Sequence, residues 1–152
     1  MEKEIKEDKM LEFRYVIKDE TGLHARPAGM LAKLVRADPA MMERVLHNLL
    51  GNAFHHIGAD GQVMLRVLPQ ADGCRVEIED HGPGIPPEDL PYIFDRYYRA
   101  RQDSGKVGTG LGLSITKAIL QQHGFAFGVN SAVGQGSTFW FVMRDVRTGP
   151  QA

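Results

Sequence analysis

The chain has 152 residues, of which 43% are hydrophobic and 24% charged, a balance typical of one soluble globular domain with a single core. Its formal net charge of -1 predicts no general attraction to nucleic acid or to an anionic membrane. A single cysteine, Cys74, excludes an internal disulfide framework and favours a cytoplasmic location. We identify no signal peptide and no membrane segment, so contact of this chain with a membrane is not expected.

The amino-terminal region divides into a charged leader and a short strand-helix unit. Residues 1–10 have no apolar face and are expected to be a solvated leader. Residues 11–18 alternate in polarity, which predicts a strand, and apolar residues at helical spacing predict a helix from Arg26 to Arg36. An unpaired strand edge favours pairing, so we expect the strand to join the main sheet or to pair with a second copy, as in a domain-swapped dimer.

The main domain is expected from residue 38 to 146, after the strand-helix unit at 11–37 and before a tail at 147–152. Its first predicted helix, at about 39–57, begins after Asp38 and Pro39, which suit a helix cap and first turn. Alternating residues then predict a hairpin of strands at 62–69 and 74–80, and two final strands at about 125–131 and 137–144. Between them, 95–109 is expected to be a mobile lid, and a helix is expected from Gly110 to His123. The pattern predicts an α/β fold, an α+β two-layer sandwich with helices on one face of a sheet.

Three separated features suggest one nucleotide site. Asn48 and Asn52 stand one helical turn apart, and their amide oxygens suit Mg²⁺. Asp80 ends a strand, where its carboxylate can accept a hydrogen bond from an exocyclic amine. The segment GTGLGL at 108–113 can bring backbone amides and a helix amino terminus to phosphate oxygens. In the alternative interpretation, the glycines are caps or turns and the asparagines are solvated helix residues.

The glycine segment fits neither common phosphate motif. It lacks the lysine of the Walker pattern, and it follows a loop where a dinucleotide-binding motif follows a strand.

Five motifs in order give the chain a resemblance to a known family. They are RVLHNLLGNAFHH at 44–56, DHGPGI at 80–85, IFDRYYRA at 93–100, GTGLGLSI at 108–115 and GQGSTFWF at 134–141. Over about residues 36–145 the chain closely resembles the ATP-binding catalytic domain of bacterial sensor histidine kinases, part of the wider family with gyrase, Hsp90 and MutL ATPases. The resemblance implies a Bergerat-type, mixed and mostly antiparallel sheet, ATP and Mg²⁺ as cofactors, and protein-histidine kinase activity. A phosphoacceptor and dimerisation domain and a response regulator are the implied partners.

The same resemblance implies roles for individual residues. Asn52 would coordinate Mg²⁺ with Asn48 beside it, and Asp80 would bind the adenine amino group. Residues expected at the base and the lid are Gly82, Gly84, Ile85, Phe94 and Thr138. Residues expected at the sugar and phosphates are His55, His56, Arg96, Arg99, Lys106, Gly108, Thr109, Gly110, Leu111, Gly112 and Leu113. Asn48 stands where the hydrolytic relatives have a glutamate, and an amide cannot take a proton from water, so transfer to a protein is favoured over hydrolysis.

The front end resembles a different family. Residues 12–36 carry GLHARPA at 22–28 and are similar to the start of HPr, the histidine-containing phosphocarrier, in which His24 would be phosphorylated and Arg26 would contact the phosphate. Only the first strand and helix of that family are present, and about 25 residues are too few for a complete domain. We therefore expect an engineered or recombined chimera. A phosphocarrier that uses His24 and a folded but inactive chimera remain alternatives.

Overall fold

In a computed structural model of the protein, the described residues are 2–6, 12–17, 38–95 and 112–144, the first two ranges by their backbone alone. Six strands form one sheet in the order β1-β2-β3-β4-β6-β5, and every described pairing is antiparallel. The strands are β1 Glu2–Lys6, β2 Glu12–Ile17, β3 Val63–Gln70, β4 Gly73–Asp80, β5 Ala126–Ala132 and β6 Gly136–Arg144. The described pairings agree with the predicted α/β fold and its mostly antiparallel sheet, and none of them is parallel.

The amino-terminal strand joins the main sheet. This is one of the two outcomes expected from the sequence, the other being pairing with a second copy. β2 pairs with β3, with Ile17 opposite Val63 and Phe13 opposite Val67. The structure departs from the expected solvated leader, because Glu2–Lys6 forms β1 and pairs with β2. Backbone hydrogen bonds to the free edge of β2 need no apolar face, and a charged strand suits the outer edge of a sheet. The predicted helix from Arg26 to Arg36 lies outside the described residues.

Two helices cover one face of the sheet. α1, Pro39–His55, begins where predicted because Oδ1 of Asp38 accepts the N–H of Ala40 at 2.9 Å. α2, Gly112–Gln122, is followed by Gly124 at φ +71°, the left-handed conformation that glycine adopts readily at a helix end. A short 3₁₀ helix, Leu90–Tyr92, lies between them in sequence.

The core lies between α1, α2 and the inner face of the sheet. Alternate residues of the central strands are buried, as a half-covered sheet requires. Buried side chains from the helices and strands meet in a single cluster, whose largest fully buried members are Phe139, Phe141, Met42, Leu46, Leu50, Leu65, Ile78, Leu120 and Met143.

The opposite face of the sheet carries half-buried charges. Arg66 binds Glu77 at 2.9 Å and Glu79 at 3.0 Å, and Arg75 binds Glu77 at 3.0 Å. The Arg75 guanidinium also lies 4.3 Å from the ring centroid of Trp140. This network makes one face of the sheet polar. The candidate site lies on the opposite face.

Candidate nucleotide site

Asp80 is a buried carboxylate at the end of β4. Only 1% of the residue is exposed, and its Oδ1 accepts the N–H of Gly82 at 2.9 Å. Burial raises the pKa of the Asp80 carboxyl, against the opposing effect of hydrogen bonds from the backbone of Gly82 and Ser137. Two charged side chains also act on this carboxylate, His81, which lowers its pKa, and Glu79, which raises it. This is the group that a donor on a ligand can satisfy.

Glycines let the backbone segments around Asp80 approach closely. A Cβ on Gly82 would lie 1.8 Å from the carbonyl oxygen of His56, and one on Gly58 would lie 1.9 Å from that of His81. At Gly136, whose φ is +83°, a Cβ would lie 2.1 Å from the carbonyl oxygen of Asp80. A larger residue has no room at these positions, so the end of α1, the end of β4 and the start of β6 meet backbone to backbone.

The loop after Asp80 is fastened to β5 and to the turn that follows it. The N–H of Ile85 donates to Oγ of Ser131 at 2.8 Å, and the N–H of Gly134 donates to the carbonyl of Pro83 at 2.8 Å. Gly84 has a φ of +76°, and a Cβ there would lie 2.0 Å from the carbonyl oxygen of Ala132. The predicted base-pocket residues Gly82, Gly84 and Ile85 are therefore brought together with Asp80 in one short loop.

Asn48 joins the two helices. Its side-chain amide donates to the carbonyl of Gly112, the first residue of α2, at 3.3 Å. The hydroxyl of Thr116 donates to the same carbonyl at 2.9 Å. Asn48 and the amino terminus of α2 therefore lie side by side, which is where the macrodipole of α2 favours negative charge.

The residues present fit a magnesium ion that also binds phosphate. Asn48 and Asn52 are half-buried and one turn apart on α1. Among the described residues, no group of three His, Cys, Asp or Glu side chains is placed to hold a metal. An ion here would take few protein ligands and complete its shell with phosphate and water oxygens, which is the usual coordination of Mg²⁺.

The two predicted histidines lie at the end of α1. His55 is the last helical residue and is exposed, while His56 is the cap and is half-buried. Their rings meet edge to face with centroids 4.9 Å apart. The backbone of His56 also contacts the loop after Asp80, through Gly82. Both residues therefore lie at the same end of the sheet as Asp80.

Phe94 and Leu113 pack against the core near the site. The Phe94 ring contacts Phe127 and Phe139 edge to face, with centroids 5.2 and 6.0 Å apart. Leu113, at the start of α2, is half-buried against the same core. Phe94 is thus anchored just before the segment that the sequence predicts to be a lid.

Thr138 is not brought together with Asp80. It pairs with Glu79, and its neighbour Ser137 pairs with Asp80. Because side chains alternate along a strand, Ser137 lies on the face of Asp80 and Thr138 on the face of the charged network. Ser137 and Ser131 lie beside Asp80 and its loop at the candidate site, and the sequence motifs do not single them out. The signal for Ser137 is the strand register, which the motif alone does not give.

His81 connects the loop after β4 to the loop after α1. Its Nδ1 contacts Oδ2 of Asp60, and its Nε2 lies 3.5 Å from Oε2 of Glu79. The hydrogen bond to Asp60 raises the pKa of His81, and the same bond lowers the pKa of Asp60. The imidazole therefore favours its charged form between these two carboxylates.

Several predicted residues lie outside the described part of the chain. They are His24, Arg26, Arg96, Arg99, Lys106, Gly108, Thr109, Gly110 and Leu111. Their roles remain predictions. Within the described residues, no helix is long and apolar enough to cross a membrane.

Comparison with known proteins agrees with this geometry. Residues 37–147 match the family described as histidine kinase-, DNA gyrase B- and HSP90-like ATPases. Drug sensory protein A of Synechocystis sp. is 42% identical in an alignment of 112 residues, which covers 66% of this chain and 17% of that protein. The structure of a mycobacterial sensor histidine kinase, MprB, is 31% identical, with a TM-score of 0.65 over 72% of this chain and 76% of that one.

A third match extends further along the chain. Full-length ShkA in complex with AMPPNP is 26% identical, with a TM-score of 0.62 over 86% of this chain and 30% of that one.

The chain therefore belongs to the family of histidine kinase-, DNA gyrase B- and HSP90-like ATPases. More narrowly, it is a histidine kinase catalytic domain, as the resemblance implies. It spans less than a fifth of the length of Drug sensory protein A. The family match begins at residue 37 and gives no support to the HPr resemblance or to a chimera, which stay predictions.

Proposed function

We propose that this chain binds Mg-ATP and transfers the γ-phosphate to a histidine on a separate dimerisation domain, from which a response regulator receives it. The family and the likeness to sensor histidine kinases support the reaction, and a cytoplasmic location suits its cofactor.

The observation that carries the proposal is the buried Asp80 carboxylate. It lies among glycine backbones with 1% of its surface exposed, and burial raises its pKa. A carboxylate has about four lone-pair sites, and backbone groups of Gly82 and Ser137 use only part of them. The Asp80 carboxylate can therefore accept a further hydrogen bond, and the amino group of adenine is a donor of the right kind. The close approach of Gly82 to His56 leaves no side chain at that point of the loop.

The phosphate end is proposed to lie between the two helices. Asn48 touches the first residue of α2, and Asn52 lies one turn further along α1. These asparagines would hold Mg²⁺, which when bound would neutralise charge on the phosphates. The amino terminus of α2 favours the same negative charge. Arg96, Arg99, Lys106 and the glycines at 108–112 are proposed to complete the triphosphate site.

The residue at position 48 favours transfer over hydrolysis. An asparagine amide has no basic site with which to take a proton from water, so the chain has no general base at this position. In the structure its side chain donates a hydrogen bond to the carbonyl of Gly112. Catalysis would then consist of positioning and charge neutralisation, with the acceptor histidine as the nucleophile.

Calorimetric titration of the purified chain with ATP and Mg²⁺ tests the proposal. We expect saturable 1:1 binding, which Asp80→Asn abolishes because the amide presents one acceptor and two donors where the carboxylate presents acceptors. Asp72→Asn is the matched control, since Asp72 is exposed in the turn at the other end of the β3–β4 hairpin. Absence of binding in the wild-type chain would overturn the proposal.

Three other results would favour the alternatives. Steady phosphate release by the isolated chain would indicate a gyrase-like ATPase. A cooperative melt that Mg-ATP does not shift would indicate a folded but inactive protein. Acid-labile phosphate on His24, formed from phosphoenolpyruvate and its transferase and absent from His24→Ala, would indicate the phosphocarrier function.

A further inference from the structure

Three polar residues form a row across the end of the sheet. Ser131 on β5 pairs with Ser137 on β6, and Ser137 pairs in turn with Asp80 on β4. Ser137 and Asp80 are buried, and the backbone of Ser137 donates to the Asp80 carboxylate. Residues paired in register share a face, so the row lies on the side of the sheet that carries the proposed nucleotide site.

The hydroxyl of Ser131 makes three hydrogen-bonding contacts. Its Oγ accepts the N–H of Ile85 at 2.8 Å, lies 2.9 Å from the carbonyl oxygen of Gly136, and lies 2.8 Å from Oγ of Ser137. The first contact fastens the loop that contains Gly82 and Gly84. The other two tie that loop to the start of β6.

Counting protons gives these bonds a direction. A serine hydroxyl has one proton, and a carbonyl oxygen only accepts, so the proton of Ser131 belongs to the contact with Gly136. The contact between Ser131 and Ser137 then needs the proton of Ser137. With that proton committed to Ser131, the Ser137 oxygen offers only lone pairs to any other partner. Asp80, when ionised, is likewise an acceptor alone.

We propose that Ser131 is a positioning residue that determines base specificity: by taking the proton of Ser137, it makes the pocket beside Asp80 present acceptors only. Where these acceptors face position 6 of a purine, they favour an amino group, which donates, over an oxo group, which accepts. The inference rests on the proposed ATP site and adds the residue that sets its preference.

The test compares the dissociation constants of Mg-ATP and Mg-ITP by calorimetry. ITP carries an oxo group where ATP carries the amino group. We expect the wild-type chain to bind Mg-ATP more tightly than Mg-ITP. Ser131→Ala should lower the ratio of the two dissociation constants about tenfold, the effect of about one hydrogen bond. The reason is that the freed hydroxyl of Ser137 can turn and donate to the oxo group. Ser131→Thr keeps the hydroxyl and should restore the preference.

A purely structural role for Ser131 gives a different result. If Ser131 only holds Ile85 in place, Ser131→Ala weakens the binding of both nucleotides equally. The ratio of their dissociation constants then stays unchanged, which overturns the proposal. If Ser131→Ala binds neither nucleotide, Ser137→Ala decides, since it leaves Ile85 fastened to Ser131. We expect that variant also to lose preference for ATP, and an unchanged ratio in it overturns the proposal.

Failure of the proposed function is recognised separately. In that case the wild-type chain itself binds no Mg-ATP, whatever the residue at position 131. A wild-type chain that binds both nucleotides with equal affinity would overturn the specificity claim and leave nucleotide binding intact.

Discussion

The carbonyl oxygen of His56 occupies the space in which any other residue at position 82 would place its Cβ. A Cβ on Gly82 would lie 1.8 Å from that oxygen. The two His56 atoms that this Cβ would meet belong to the backbone, and Oδ1 of Asp80 would lie 2.9 Å away. Relief of the clash with His56 therefore requires the end of α1 and the loop after β4 to separate. These two segments carry the proposed phosphate and base ends of the site.

Gly82→Ala should therefore damage both the fold and the site. We expect the free energy of unfolding to fall by about 2 kcal/mol or more, as for other strained substitutions, and nucleotide affinity to fall with it. Gly51→Ala is the control, because nothing lies within 4 Å of a Cβ at Gly51 inside α1. That change should stabilise the chain by about 0.5–1 kcal/mol. Equal stability of the two variants in urea denaturation would contradict the close approach.

Asp80→Asn should separate stability from binding. Burial raises the pKa of Asp80, so the ionised carboxylate costs stability once the pH rises from its ordinary value of 3.8 through the value in the folded state. An amide carries no such charge. We expect the variant to unfold at pH 7 with a free energy within about 1 kcal/mol of the wild type, or higher, while it no longer binds ATP. A loss of more than about 3 kcal/mol would show that the carboxylate is a structural requirement.

The contact between His81 and Asp60 predicts a pH dependence. The pKa of His81 is raised, so its stabilising contribution is fully present below its ordinary value of 6.5 and is lost as the pH rises through the folded-state value. Asp60 has a lowered pKa, so its contribution disappears as the pH falls below the ordinary carboxyl range. Both side chains are partly exposed, which makes the effect modest.

An NMR titration of the His81 ring measures this contact. We expect the pKa of His81 to lie above 6.5 in the wild type and to fall in Asp60→Asn. Thermal melts should show His81→Ala further below the wild type at pH 5.5 than at pH 8.5. A pKa of His81 that does not respond to Asp60→Asn would contradict the ion pair.

Asn48→Asp tests the junction of the two helices. The new carboxylate would lose the donated hydrogen bond to the Gly112 carbonyl and place negative charge where phosphate is proposed to bind. We expect Mg-ATP affinity to fall at least about tenfold, since a charge repulsion and a lost hydrogen bond act together. Asn130→Asp makes the same chemical change at an exposed position of β5 and should leave affinity unaltered. Similar losses in both variants would rule out a specific role for Asn48.

Short sequence patterns were sufficient to predict the elements whose boundaries are determined by nearby residues. Asp38 and Pro39 predict the start of α1, and the cap is present. Alternating apolar residues predict β3 and β4 to within one residue at each end. β1 carries no such signal, because the backbone of β2 holds it in place. Its formation depends on a free sheet edge, which is a property of the assembled fold.

In the candidate site, too, some residues could be predicted from local sequence patterns and others depend on the assembled fold. Asp80 and Gly82 are adjacent in one motif, and the structure keeps them in contact. Ser131 and Ser137 enter the site through strand register, and a shift of one residue exchanges Ser137 for Thr138. Sequence spacing does not determine which of two neighbouring hydroxyls faces Asp80.

The most direct measurement of the central claim is a crystal structure of the chain with AMPPNP and Mg²⁺. The account predicts the amino group of adenine within about 3.2 Å of the Asp80 carboxylate, a hydrogen-bonding distance, and the metal at Asn52. A nucleotide bound with its base away from Asp80, or with a donor of another kind on that carboxylate, would contradict it.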